Sequence, residues 1–494
     1  MSLPRNCPIA IARNRYSLFA ALTLCAMSVA HAAASDTFTV NTLSDSSGGD
    51  CSGACSLRDA MANVAPGGTI DFAQALLPGT ITLGSQLHPV VSMKIQGPGT
   101  GQLAISGNGL SRLVLIDSST VTVNIVGVTL LDGNISGTDG GSGTPGTGMG
   151  GTSGGSAQGG CIFMSAGSLI LDQVNIHDCL AQGGTGGSGG AGTAGSGLDN
   201  VGGAGGDGGG GGGALGGGIA FNSVVGGNLT LHNSSLINTQ ALGGAAGAGG
   251  DGGSGVFHGP GGNGGLGGGG FGGVIYFKGG SLYIDNTTIA GSVATATDGG
   301  HGGNGDSQRA ASTGGAGGNG GYAPGALLYA LTDVVAHIEF ATLANGTGVP
   351  GAGGGGGAGL VGGAMGQPGT GPGIAIFTRS NLSTLSTIIV GTGSAPLCDA
   401  SPAISASGAN LAEDSSCGAS LQGDFARLFR PPDPNMPPAY IPRYGSAVID
   451  AAATCNDLAA LAVTADQQGT PRPQGSACDL GAIEADYIFV NGFE

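Results

Sequence analysis

The chain has 494 residues, of which 110 are glycine and none tryptophan, and its 30 acidic side chains outnumber 13 Lys and Arg to give a net charge of −17. Phosphate backbones need a basic footprint that this composition lacks, which excludes nucleic acid as a partner. With aromatics at 4% of the chain, a glycan cleft built on stacked aromatic platforms is disfavoured.

Residues 1–34 read as a secretory signal peptide: Arg5, Arg13 and Arg15 precede the apolar run Leu18 to Ala30, and Ala30-His31-Ala32 supplies a small-residue cleavage site. A lipid anchor at Cys25 is disfavoured, because Leu24 before it is too bulky for the attachment box. Without this segment 10 basic residues face 30 acidic ones. No later apolar run approaches the roughly 20 residues that span a bilayer, so no transmembrane helix is expected and the protein is placed outside the cell or on its surface.

From Asp36 to about Gly109 short strand-like runs (Thr37 to Val40, Gly79 to Leu83, Leu103 to Ile105) are closed by turns such as Gly97-Pro98-Gly99. Between them, Ser56 as N-cap and an apolar face of Leu57, Ala60, Met61 and Val64 predict one short helix. At the head of a stack of strands such a helix serves as a cap.

One phrase then recurs five times: a first strand beginning at Cys161, Ile219, Val274, Ala326 and Ile374, followed by a second strand at Leu169, Leu229, Leu282, Ala336 and Leu382. Each unit alternates apolar and polar residues at period two, yet is too short to bury its apolar face alone, so it must stack on its neighbours. Val121 to Leu130 matches the second strands, with Val123, Ile125, Val128 and Leu130 in the places of Leu169, Leu171, Val174 and Ile176. The expected fold is all-β, a right-handed parallel β-helix (solenoid) with an N-terminal helical cap, in which Leu171, Leu231, Ile284 and Ile338 share one interior row.

Glycine tracts of about 137–160, 183–218, 243–273, 299–325 and 346–373 leave after each second strand, so five Gly-rich lateral loops should lie side by side. Glycine buries little apolar surface and has a high ordering entropy, so the default expectation is flexible loop. The competing arrangement is a set of polyglycine-II-like segments hydrogen-bonded through their backbones.

Beyond the signal, eight Cys fall in four local couples: Cys51 with Cys55, Cys161 with Cys179, Cys398 with Cys417, and Cys455 with Cys478. In an exported chain they read as disulfides. Zinc at Cys51 and Cys55 is disfavoured, since no second Cys or His pair follows nearby. After Gly393 the tracts stop, and a Pro-rich loop, Arg430 to Pro438, leads to a closing segment that contains Ala447-Val448-Ile449-Asp450. The organisation expected is 1–34 signal, 35–110 cap and first coils, 111–395 coils with glycine insertions, 396–485 closing module and 486–494 tail.

Cys55-Ser56-Leu57-Arg58-Asp59-Ala60, with Gly67-Gly68-Thr69-Ile70-Asp71-Phe72 and Ile95-Gln96-Gly97-Pro98-Gly99, resembles the CSLREA domain of bacterial exported proteins, with Asp59 standing where the family has Glu. Asp466-Gln467-Gln468-Gly469, Pro471-Arg472-Pro473 and Cys478-Asp479-Leu480-Gly481-Ala482-Ile483-Glu484 resemble the choice-of-anchor Q domain. The resemblance implies a pectate-lyase-like β-helix, surface-attached or secreted, mostly without assigned chemistry. Asp486 to Glu494 is similar to a tail shared by exported bacterial proteins, which implies sorting or processing.

Asp172, His232, Asp285 and Glu339 fall at one place in four successive units, which would stack them about 5 Å apart. Such a column suits Ca²⁺ or mutually raised pKa values, but beside Gln173, Asn233 and Asn286 it reads first as an outward bend with an amide ladder. Gly300-His301-Gly302 is similar to a histidine motif of polygalacturonase-type hydrolases, but inside a glycine tract any triplet has those neighbours, and it is read as chance. A lyase would need an Arg or Lys base such as Arg112 or Arg379 within a carboxylate cluster, and none surrounds either in the sequence. Gly202-Gly203-Ala204-Gly205-Gly206-Asp207 fits part of a Ca²⁺-binding nonapeptide, which makes Asp207 and Asp251 the candidate metal ligands; no other cofactor is expected. The function expected is a structural, adhesive or ligand-binding role, possible partners being cell-surface glycans or host or neighbour-cell surfaces, with a polysaccharide lyase or glycoside hydrolase as the alternative.

Overall fold

The computed structural model describes residues 36–198, 200–305, 312–391, 396–423, 428–429 and 440–485. The signal segment, the Pro-rich loop and the C-terminal tail lie outside the described residues.

Short strands of two to six residues repeat around each coil, and the same position in successive coils pairs in parallel, giving sheets of ten, ten, seven, five and three strands. One coil runs Ile162–Met164, Ser168–Asp172, Asn175–His177 and Leu180–Gln182. The chain is a right-handed parallel β-helix. Leu171 pairs with Leu231, Leu231 with Ile284 and Ile284 with Ile338, and none of the four is exposed to solvent. Ile125 extends the row one coil earlier, so the expected register holds. Each of these side chains contributes about 1.5–3 kcal/mol of burial, which a lone coil forgoes. Phe221 and Phe277 continue the same logic inside the helix, their rings stacked at 4.6 Å.

Between the second and third strands of a coil the chain bends through one residue of positive φ: Gln173 (53°), Asn233 (49°) and Asn286 (41°). Side chains that tolerate the left-handed region explain why amides collect there.

The predicted helix is present at Leu57–Asn63, and Ser56 and Asp59 close a capping box. Asp59 also accepts the Gly49 N–H at 2.7 Å, while Arg58 pairs with Asp45 at 2.8 Å, so the cap is tied to the loop before it. These donors hold the Asp59 carboxyl below its ordinary range. All four local disulfides form as expected.

Coil strands continue past residue 395, through Cys398–Ala400, Ser405–Ser407 and Leu411–Ala412 to Leu421–Gln422. Residues 440–485 then lie along the flank of the helix. There the Gly481 N–H donates to Ser386 O, the Ala482 N–H to Thr342 Oγ1, and Asn286 Nδ2 to Ala465 O.

The glycine tracts overturn the default expectation of flexible loop. Each tract runs out and back as two extended legs, and the legs form two layers. Within the outgoing layer, Gly140 donates to Thr185 O, Gly186 to Ala245 O, Gly249 to His301 O and Gly302 to Gly355 O, at 2.7–2.9 Å. Between layers, Gly190 donates to Met149 O, Gly206 to Gly190 O and Gly250 to Gly206 O, all at 2.8 Å. Donors recur every third residue, which is the three-residue turn of the polyproline-II helix. The physical reason is close approach: a Cβ on Gly250 would meet Gly190 O at 2.1 Å, whereas one on Gly210, at the third place of its triplet, meets nothing nearer than 3.5 Å. Two glycines in each triplet make the close approach, while the third place adds a carbonyl acceptor and leaves its side chain free to vary.

Candidate functional site

Asp172, His232, Asp285 and Glu339 do stack in one column along the second strands. Their chemistry differs from one end to the other. His232 Nδ1 lies 2.5 Å from Asp285 Oδ1, and this hydrogen bond raises the imidazole pKa. Asp172 accepts from Asn233 Nδ2 at 3.3 Å. Glu339 is fully buried: its Oε1 accepts from the Tyr283 hydroxyl at 2.8 Å and its Oε2 from the Leu458 N–H at 2.7 Å. Burial raises the Glu339 pKa, and the same burial with the Glu339 contact raises that of Tyr283. The column therefore ends as an anchor for the flanking segment, and only its His232 end faces solvent.

That flanking segment holds the densest set of buried ionisable groups. The Arg472 side chain has no exposure; its Nη1 donates to Glu484 Oε2 at 3.0 Å and Asp479 O at 2.9 Å, its Nη2 to Gly481 O at 2.7 Å, and its plane lies over Phe340 at 4.8 Å. Asp466 accepts the N–H groups of Gln468, Thr470 and Glu484 at 2.8 Å. Asp479 accepts from the Asp450 and Ala485 N–H groups at 2.7 and 2.8 Å, while burial pushes its pKa up to about 6. These carboxylates are occupied by backbone donors, so the cluster fixes a loop and offers no free acid or base to a substrate.

Where this segment overhangs the bends a cleft of about 490 Å³ opens, lined by Thr100, Gln173, Asn175, Asn233, Gln467 and Gln468. A second cavity, about 510 Å³, lies within the segment between Tyr444, Asp450, Gln474 and Asp479.

The structure does not bring the candidate metal ligands together. Asp251 belongs to the outgoing layer and Asp207 to the returning one. Each carboxylate caps the next leg, Asp251 accepting the Asn304 N–H and Asp207 the Asn263 N–H, both at 2.7 Å. Asp139, Asn263 and Asn304 repeat the arrangement with Thr185, Ala316 and Ala358. His301 does the same through Nδ1, accepting the Gly355 N–H at 3.1 Å, which accounts for the Gly-His-Gly triplet as a backbone cap. Among the described residues no three His, Cys, Asp or Glu side chains gather at one point.

Arg112 and Arg379 are committed as well. Arg112 donates to Gly159 O, Gln158 O and Gln86 Oε1, and Arg379 forms a two-pronged pair with Asp399 at 3.0 and 3.1 Å. They cap the two ends of a column that composition concealed: Phe163, Ala220, Tyr276, Tyr329 and Phe377 occupy one outward row. Tyr276 stacks on Tyr329 at 5.5 Å and Tyr329 on Phe377 at 4.8 Å, with Arg379 over Phe377 at 3.9 Å and Arg112 over Phe163 at 5.2 Å. Burial pushes the Tyr276 pKa up to about 12. Ring faces that cover one another leave only edges outward, so the row braces the sheet and offers no platform for sugar stacking.

No protein-family profile and no curated protein matches the chain. The solved structures similar to it include a pectate lyase and an antifreeze protein. A pectate lyase, Pel9A, aligns over 91% of this chain and 96% of its own at 12% identity and a TM-score of 0.31. A springtail antifreeze protein from Granisotoma rainieri, described as a bundle of nine polyproline-II helices, aligns over 48% of this chain and 94% of its own at 23% identity and a TM-score of 0.10. At these values neither likeness bears on activity.

The overhanging cleft was not legible in sequence, since Gln467 and Gln173 are remote in the chain. The bundle had a signal that composition obscures, the period-three run Gly183-Gly184-Thr185-Gly186-Gly187-Ser188-Gly189-Gly190-Ala191.

Proposed function

We propose that this is an exported adhesive protein: the β-helix is the scaffold, the glycine bundle is a rigid spacer, and the turns at the far end of the bundle make the contact. The observation that carries this reading is where apolar side chains are exposed. Met149, Leu198, Val201, Phe257, Leu360 and Val361 are between 46% and 106% exposed and sit at or beside those turns, and further exposed apolar side chains, Leu266 and Met365 among them, lie along the legs. Val201 pairs with Phe257 and Thr313 with Val361, so two pairs of neighbouring legs are joined close to the turns. Exposed apolar side chains near the end of an ordered arm are suited to an interaction surface. With 30 acidic residues against 10 basic ones after residue 35, the partner surface is uncharged or basic at its rim.

Four disulfides and the absence, among the described residues, of any helix long and apolar enough to cross a membrane fit an extracellular protein. We assign export to the signal at 1–34, and the two ends of the chain to the CSLREA and choice-of-anchor Q groups. Supporting that assignment, the motif residues Ser56 and Asp59 build the helix cap and Asp466, Arg472, Asp479 and Glu484 build the flanking cluster.

The test is binding of the purified protein to bacterial and host cells, with Leu198→Asp and Phe257→Asp combined. Adhesion lost in the variant, with thermal stability intact, supports the reading. Unsaturated or reducing ends released from pectin or alginate, with or without Ca²⁺, would overturn it in favour of a polysaccharide-degrading enzyme.

A further inference from the structure

We infer that the cleft between the coil bends and the flanking segment is a binding site for a neutral glycan. Its floor comes from three consecutive features of the helix: Gln173 and Asn233 at the bends of adjacent coils, and Asn175 on the strand between. One wall is the turn at Gly99 and Thr100; the other is the loop 467–469. That loop is fixed in place, because Asp466 beneath it binds the Gln468 and Thr470 N–H groups and Gln467 Oε1 accepts from the Thr288 hydroxyl at 2.5 Å. The cleft is thus formed by rigid elements before any ligand arrives, which spares the cost of ordering it.

Five side-chain amides converge here with most of their hydrogen-bonding capacity unspent. Gln173, Asn175 and Gln468 make no side-chain hydrogen bond to the described residues; Asn233 gives one N–H, to Asp172, and Gln467 uses only its carbonyl oxygen. Each carboxamide offers both donors and an acceptor, so a fan of them matches a ligand whose hydroxyls both give and accept. No apolar side chain lines the cleft, which argues against a peptide, whose side chains need apolar pockets. No Arg or Lys lines it either, and Asp172 stands beside Gln173, so an acidic polysaccharide is repelled. A volume of about 490 Å³ takes a short sugar segment.

Titration of the exported chain with maltohexaose, cellohexaose, xylohexaose, mannohexaose and a hexamer of galacturonic acid tests this. The expected result is one-to-one binding of at least one neutral hexasaccharide, weakened tenfold or more by combining Asn175→Ala with Gln468→Ala. Neither side chain holds the fold, so circular dichroism should be unchanged, and the apolar-turn variant Leu198→Asp should bind the sugar as the parent does. Three results would overturn the inference: no neutral hexasaccharide binding, preference for the galacturonate hexamer, or affinity indifferent to the two amide substitutions. Because the adhesive turns and this cleft are changed by different variants, loss of one property leaves the other readable.

Discussion

The coils and the glycine bundle stack the same units in the same order by opposite means. In the coils, side chains do the joining: Leu171, Leu231, Ile284 and Ile338 meet inside, and the backbone ladder follows. In the bundle, backbones do the joining, as in Gly190 to Met149 and Gly206 to Gly190, and side chains are kept to the outer third position. The coil interior is stabilised by area removed from water. The bundle is stabilised by many hydrogen bonds of modest individual worth, about 0.5–1.5 kcal/mol each. The lesson is that regular order does not require an apolar core when two of every three residues have no side chain.

Substitutions should separate the two halves. Leu231→Ala should cost about 2–5 kcal/mol and shift the main urea transition of the whole helix, because it leaves a cavity in the row; a shift confined to the bundle would break the distinction. Gly250→Ala should cost about 1–3 kcal/mol and accelerate hydrogen exchange in the legs around Gly190 and Gly206 while coil amides stay protected, since its Cβ has only 2.1 Å to Gly190 O. Gly210→Ala, with 3.5 Å to its nearest neighbour, should change stability by no more than about 0.5 kcal/mol.

Acidity should sharpen the contrast. The folded pKa of Asp479 is raised to about 6, so its contribution is complete at low pH and is lost as pH rises through 6. Stability of the flanking segment should therefore fall as pH rises from about 4 to about 6 and level off above that, visible as exchange at Gly481 and Ala482. Asp139 in the bundle is lowered by its bond from Thr185, so the bundle should respond in the other direction, weakening only as pH falls below the ordinary carboxylate range. Replacing Asp285 by Asn should lower the His232 pKa, read by imidazole NMR, because the hydrogen bond that raises it is weakened. The smallest effect is expected for Asn263→Ala, which uncaps one exposed Ala316 N–H and should cost about 0.5 kcal/mol or less.

Register was legible in sequence because period-two alternation fixes which side chains point inward, and a shift by one residue would expose the whole row. The cap helix was legible from Ser56 and its apolar face, and the disulfides from local spacing. The state of the tracts was not, because glycine-rich composition is shared by flexible linkers and by backbone-bonded bundles. What distinguishes them is the third position, where Asp207, Asp251, Asn263, His301 and Asn304 recur as caps. Asp207 and Asp251 drew notice as metal ligands for the same acidity that suits them to capping. The aromatic row escaped notice because composition averages over the chain, whereas the fold gathers Tyr276, Tyr329 and Phe377 into one file.

The caps on the bundle have a consequence for how such a protein changes over generations. Each leg takes its partners only from adjacent legs, and the offset from Asp251 to Asn304 equals that from Asn263 to Ala316, 53 residues, one full coil with its lobe. Coils with their lobes differ in length, the offset being 46 residues from Asp139 to Thr185 and 56 from Asp207 to Asn263, yet deleting or duplicating one intact returns each leg to a neighbour of the same kind, while losing part of it mismatches both halves at once. Length in this architecture is therefore inherited in quanta, and relatives should differ by whole coils far more readily than by shortened ones.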